Sequence, residues 1–374
     1  MITFEGFKQR VINELKHLTT INKTTRPWHL PLVIAISVSF PVFCGVYFGN
    51  LSAGLLASLG AMVILNLPSQ GSLLFRMTAI LACSFGYVGC FAVGLLAHLI
   101  PWLTPISLLF ITFWVTIFSR YYRLAPPGGL FIIMATAIAL FMPVTLADIP
   151  YQAGLMGLGS LFAGVIGCGY TLILLYKKPI SPTLEYAYEP DLLADSMLMA
   201  VFVALSLSVA MAMHMPRPYW VPMSCYIIMQ TMNFRSLWIK QWHRLLGTAL
   251  GLIVAWALLT MITSPWLVAI AIFGLMWCIE NLVVRHYGAA VMFITPLTIM
   301  LAEFSNPTAF NHISHATLAL NTMIAVRFWD TLLGCMMGMM GMMGGMVMHS
   351  PMIRQKLRQL ETAFLQNVIQ DFPS

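Results

Sequence analysis

Apolar runs of about 20 residues, the length that spans a bilayer core, recur from residue 29 almost to the C-terminus, and the breaks between them are short and basic. This pattern leaves few folds open. No water reaches a bilayer core to satisfy backbone N–H and C=O groups, so a spanning segment must close its hydrogen bonds internally, as a helix does. Composition points the same way. Of 374 residues, 60% are hydrophobic and 8% charged, against roughly 25% charged in soluble domains. The expectation is an all-α polytopic membrane protein and not an enzyme of soluble type. Walker, nucleophile-elbow and dinucleotide motifs are absent from the sequence, and no cofactor is expected.

The net charge of +7 is no nucleic-acid footprint, because the basic residues are spread a few at a time between spans. Twelve spans are expected, at roughly 29–49, 51–67, 73–99, 104–121, 127–143 and 151–176, then 193–214, 218–232, 237–263, 265–284, 287–303 and 316–349. With a cytoplasmic N-terminus, every lysine and arginine except Arg217 and Arg327 falls on the cytoplasmic side. The positive-inside rule then places both termini in the cytoplasm. Residues 1–28 are too charged for a signal core and read as an amphipathic surface segment, as do residues 350–374. Seven cysteines lie inside apolar runs without a Cys-x-x-Cys pair and read as small hydrophobes. The methionines of the last span suit irregular packing better than copper, and His312 with His315 is too little for a metal site.

A proline-rich linker, 177–192, divides two membrane halves, 29–176 and 193–349. Each half has six spans, a basic turn before its third and a glycine-rich sixth. An even number of spans gives the halves one orientation, so they read as parallel repeats with a path or site between them. Segments 51–67, 128–143 and 219–232 are too short for plain lipid-facing helices, and short segments at corresponding positions point to a transport site.

Ionisable groups inside a membrane need a reason. On the third span of the second half, Arg244, Gly247, Thr248 and Gly251 share one helix face. Gly247 and Gly251 there, and Gly334 and Gly338 in the last span, are expected packing seams. Arg327 and Asp330 stand at i and i+3. They form either a structural ion pair or an anion-attracting arginine beside a proton-carrying carboxyl, a role also open to Glu280. Tyr219 and Trp220 are either an interface anchor or a stacking surface for a flat ligand. Gln230 is placed to hydrogen-bond across helices. Aligning the glycine-rich helices sets Gln152 against Arg327 and Leu155 against Asp330, so one half carries the polar chemistry.

The order Pro218-Tyr219-Trp220, Arg244-x-x-Gly247-Thr248-x-x-Gly251, Tyr287, Arg327-x-x-Asp330-Thr331-x-x-Gly334 resembles the fusaric acid resistance protein-like (FUSC) superfamily, most clearly over 193–349. Gly54-x-x-x-Ser58-x-Gly60-Ala61 and Arg76 carry a weaker likeness in the first half. That superfamily includes bacterial aromatic acid exporters and is related to plant aluminium-activated malate channels. The resemblance implies proton-driven efflux of organic, aromatic carboxylic acids or related toxic compounds across a bacterial inner membrane, often with a periplasmic membrane fusion (adaptor) protein. Arg244, Arg327, Tyr219, Trp220, Gln230 and Tyr287 would bind the anion, and Asp330 or Glu280 would couple protons. Larger members carry a cytosolic domain between the halves, and here only the linker stands. An anion channel and a non-transporting envelope-assembly component are the alternatives. Lipids are the other expected contact, and a homo-oligomer is left open.

Overall fold

The computed structural model describes residues 24, 26–68, 70–122, 124, 127–177, 191–231, 234–303 and 317–348. Most of the expected amphipathic segment 1–28, all of 350–374, most of the linker and the His312/His315 pair lie outside the described residues.

Among the described residues, twelve α-helices follow in order. The first half has α1 His29–Tyr47, α2 Leu51–Ala61, α3 Leu73–His98, α4 Thr104–Tyr121, α5 Leu130–Ala139 and α6 Ile149–Lys177. The second has α7 Leu192–Ala212, α8 Trp220–Met229, α9 Phe234–Met261, α10 Pro265–Leu282, α11 Tyr287–Glu303 and α12 Thr317–Met348. No strand occurs among the described residues. Local chemistry sets the starts. The Asn50 side chain accepts from Ala53 N at 3.1 Å at the head of α2, and Ser72 Oγ accepts from Phe75 N at 3.2 Å at the head of α3. Pro265 opens α10, where its missing N–H costs nothing.

Among the described residues, seven helical stretches are long and apolar enough to cross a membrane. Four apolar helices are shorter: Leu51–Asn66, which is α2 prolonged by a 3-10 turn, then α5, α8 and α11. They are the second and fifth helices of each half, and they are the buried ones. Every residue of α8 is buried, as are eight of the ten of α5. Long helices surround them and turn bare hydrophobic faces outward, with Phe85 82% and Val165 70% exposed. A face of that kind is stable only against lipid. The chain is an all-α polytopic membrane protein.

Packing repeats between the halves. α2 lies on α6 as α8 lies on α12, and α3 lies on α5 as α9 lies on α11. The halves meet along two seams, α1 with α10 and α4 with α7, and their short helices touch as α2 with α11 and α5 with α8.

At the basic end each long seam carries an ion pair. Arg26, just before α1, donates to Glu280 Oε2 on α10 at 2.7 Å and to the Glu280 carbonyl at 3.2 Å. Arg120 at the end of α4 donates to Asp195 at the start of α7 at 2.9 Å. The two pairs occupy equivalent places with their polarity exchanged. Glu280, a candidate coupling carboxyl from the sequence, is therefore tied at a helix end by a partner 254 residues away. Glu280→Arg should place two cations side by side and lower the yield of folded protein, and adding Arg26→Glu should restore it. Equal folded yields of the single and double variants by size-exclusion chromatography would show that this pair does not hold the seam.

Candidate functional site

One buried polar cluster lies within the second half rather than between the halves. α8 supplies Trp220 and Ser224, which are i and i+4 and share a face. α9 brings Arg244 and Thr248, and α12 brings Arg327, Asp330 and Thr331. All are buried, Asp330 completely and Arg327 to within 5%.

Glycine makes this convergence sterically feasible. A Cβ on Gly334 would lie 2.3 Å from the Val221 carbonyl oxygen, and one on Gly338 2.8 Å from that of Cys225, so α12 touches the α8 backbone. Gly247 and Gly251 do the same for α9 and α11, 2.6 Å from Gly288 O and 2.7 Å from Met292 O. Backbone contact on that scale brings arginines from two helices onto one face of a ten-residue helix.

The two arginines are held differently. The Arg327 Cζ stands 3.5 Å from the centroid of the Trp220 ring, a desolvated cation–π contact. Its Nε and Nη1 have no hydrogen-bond partner, and neither carboxyl oxygen of Asp330 has one. Arg244 Nη2 donates to Ser224 Oγ at 3.0 Å, and its Nε is also without a partner. Among the described residues no ion pair joins Arg327 to Asp330, contrary to what their i, i+3 spacing suggests. The long arginine side chain reaches across to the indole on α8, and the short aspartate cannot follow it. Trp220 is only 1% exposed, so it is no interface anchor.

A second group closes the end of α8 away from the basic side. Tyr219 OH donates to Glu303 Oε1 at 2.8 Å, and Arg217 Nε lies 2.5 Å from the same oxygen. Burial alone would lower the Arg217 pKa; the Glu303 charge and Tyr219 more than offset it, and the pKa ends raised. Sequence reasoning missed Glu303. Its signal was a carboxylate on the last residue of α11, at the same end as the one outlying cation, Arg217.

The remaining candidates lie toward the basic end, Tyr287 in contact with Arg244. Gln230 donates to the Pro127 carbonyl at 3.4 Å, across the contact between α8 and the start of α5. Tyr287 sits at the basic end, 6.0 Å from Lys240 Nζ to its ring centroid, and within the field of Arg244. Among the described residues, the first half builds no equivalent cluster. Arg76 is buried with Nε donating to its own chain at Gly71 O, 3.3 Å away. Gly159 packs on Ala57 O as Gly334 packs on Val221 O, and that equivalence puts Gln152 and Leu155 where α12 has Arg327 and Asp330.

All the clustered residues fall in one stretch with a recognisable relative. Residues 200–341 match the fusaric acid resistance protein-like family model. The likeness read from the motifs is thereby borne out over that stretch, which runs from within α7 to Gly341 of α12. A 134-residue stretch is also 27% identical to an uncharacterized membrane protein, YvaC, of Bacillus subtilis (strain 168), covering 36% of this chain and 20% of that protein. No solved structure matches the chain. The fusaric acid resistance protein-like stretch thus holds both arginines, Asp330, Trp220 and the Arg217–Glu303–Tyr219 group.

Proposed function

We propose that the chain is a secondary transporter that exports organic carboxylates from a bacterial cytoplasm, driven by proton-motive force. The basic end faces the cytoplasm in this reading. One observation carries it. A buried guanidinium stands 3.5 Å over an indole with two of its nitrogens unpartnered, one helical turn from a carboxyl whose oxygens are also unpartnered. Two arginines and one aspartate leave the cluster net positive inside a low-dielectric environment, a costly arrangement that an entering anion relieves. The Trp220 face beside the guanidinium favours a flat, aromatic anion. Asp330 is the group proposed to take up a proton after the anion has left, so that proton entry and anion exit alternate.

Proteoliposomes loaded with radiolabelled benzoate test this. The wild type should move benzoate against its gradient when a proton gradient is imposed. Asp330→Asn should retain benzoate exchange at zero gradient and lose the uphill movement. Wild-type flux that ignores the proton gradient would make the protein an anion channel. Uphill movement by Asp330→Asn at the wild-type rate would remove Asp330 from coupling.

A further inference from the structure

At the basic end a hollow of about 330 Å³ lies between the end of α8 and the starts of α9 and α11, lined by Thr231, Ser236, Ile239, Lys240, His243 and Tyr287. That volume falls in the range of small-molecule sites, roughly 300–1,000 Å³. Every polar group in its lining can donate a hydrogen bond. Lys240 supplies an ammonium, and Thr231, Ser236 and Tyr287 supply hydroxyls. His243 completes the wall, its ring tilted against that of His286 with centroids 4.8 Å apart. Among the described residues, no carboxylate lines it and Lys240 makes no ion pair. Thr231 is 8% exposed, and its hydroxyl has no hydrogen-bond partner. A buried hydroxyl in that condition costs free energy unless something in the hollow bonds to it.

The hollow also stands in line with the deeper cluster. Lys240 and Arg244 are i and i+4 on α9, one turn apart on one face. Lys240 lies in the field of Arg244, and Arg327 does too. Three cations thus follow one another from the basic end to the Trp220 face, each near enough to sense the next.

We propose that this hollow is a second anion site, the loading site from which a small oxyanion, carboxylate or phosphate, steps to Arg244 and then Arg327. The proposal rests on the transport reading for its role in the path, but the site can be tested without transport. The same chemistry fits a free anion or an anionic lipid headgroup, and closely spaced sites of moderate strength let an anion enter and leave.

The test uses the full chain in nanodiscs. Calorimetric titration with benzoate and with inorganic phosphate is run in neutral phosphatidylcholine discs. Native mass spectrometry of discs containing phosphatidylglycerol counts retained anionic lipid. Arg327→Gln should keep one binding event in at least one of the three arms. Adding Lys240→Gln should weaken that event by roughly tenfold, the loss of one charge-assisted contact, and adding Thr231→Val should weaken it less. Binding seen only with phosphatidylglycerol and lost with Lys240→Gln supports the site with a headgroup as its occupant. Loss of all binding in Arg327→Gln overturns the second site and leaves the transport reading standing. An unchanged affinity after Lys240→Gln also overturns it. No binding of any arm to the wild type overturns both.

Discussion

Arg327→Gln should weaken benzoate binding by about a hundredfold or more. A carboxylate on the free N–H groups of a buried guanidinium makes charge-assisted hydrogen bonds, each contributing about 1.5–3 kcal/mol. Two such bonds correspond to about a hundredfold or more in affinity. The substitution also removes the cation held 3.5 Å over Trp220 and strands the unpartnered Asp330 carboxyl in a buried site. The single variant should therefore be less stable than the double variant with Asp330→Asn, in which no charge is left alone. Arg327→Lys keeps the charge and loses the planar contact with the indole, so it should recover little of the binding. Titration of the three purified variants checks the order. Wild-type affinity in Arg327→Gln would place the anion elsewhere in the protein.

Gly334→Leu should abolish the folded membrane protein. The first carbon of any side chain there would lie 2.3 Å from Val221 O and 2.6 Å from Ser224 Cβ. Neither the backbone of α8 nor a residue bonded to Arg244 can give way without moving the cluster. Overpacking a well-filled core costs about 1–3 kcal/mol when side chains can adjust, and here the obstacle is backbone. Gly154→Leu is the control, because a Cβ at that exposed position of α6 meets nothing within 4 Å. Monodispersity in detergent should be lost for the first and kept for the second. A monodisperse Gly334→Leu protein would mean that α12 does not touch α8 in the membrane.

The helices were legible because a bilayer constrains them so tightly. Apolar length, basic turns and the glycine-rich sixth helices gave the element order and the division into halves, and the short segments marked the buried centre. The partners of the charges were not legible. Spacing put Arg327 beside Asp330, but the partner Arg327 takes is an indole on a helix more than a hundred residues earlier. Glu280 looked like a lone intramembrane acid, and its mate Arg26 lies 254 residues away. Arg120 with Asp195 and Arg217 with Glu303 are likewise long-range. A pattern along one helix reports which face a residue occupies and says nothing of what stands opposite. The site inside one half follows from this too, because an even repeat suggested a shared interface while only α12 carries the arginine and aspartate.

The ten-residue length of α8 has an electrical consequence. At 1.5 Å per residue it rises about 15 Å, half the roughly 30 Å of a hydrocarbon core. Polar groups stand at both of its ends, Arg217, Tyr219 and Glu303 at one and Gln230 with Thr231 at the other. The insulating layer is thus thinnest along α8, and the membrane voltage falls most steeply there, across Arg327 and Asp330. A charge carried through that layer gains or loses about 2.3 kcal/mol per 100 mV. In the proposed export an anion leaving a negative-inside cell is driven outward by that same fall, so the export current should depend steeply on voltage.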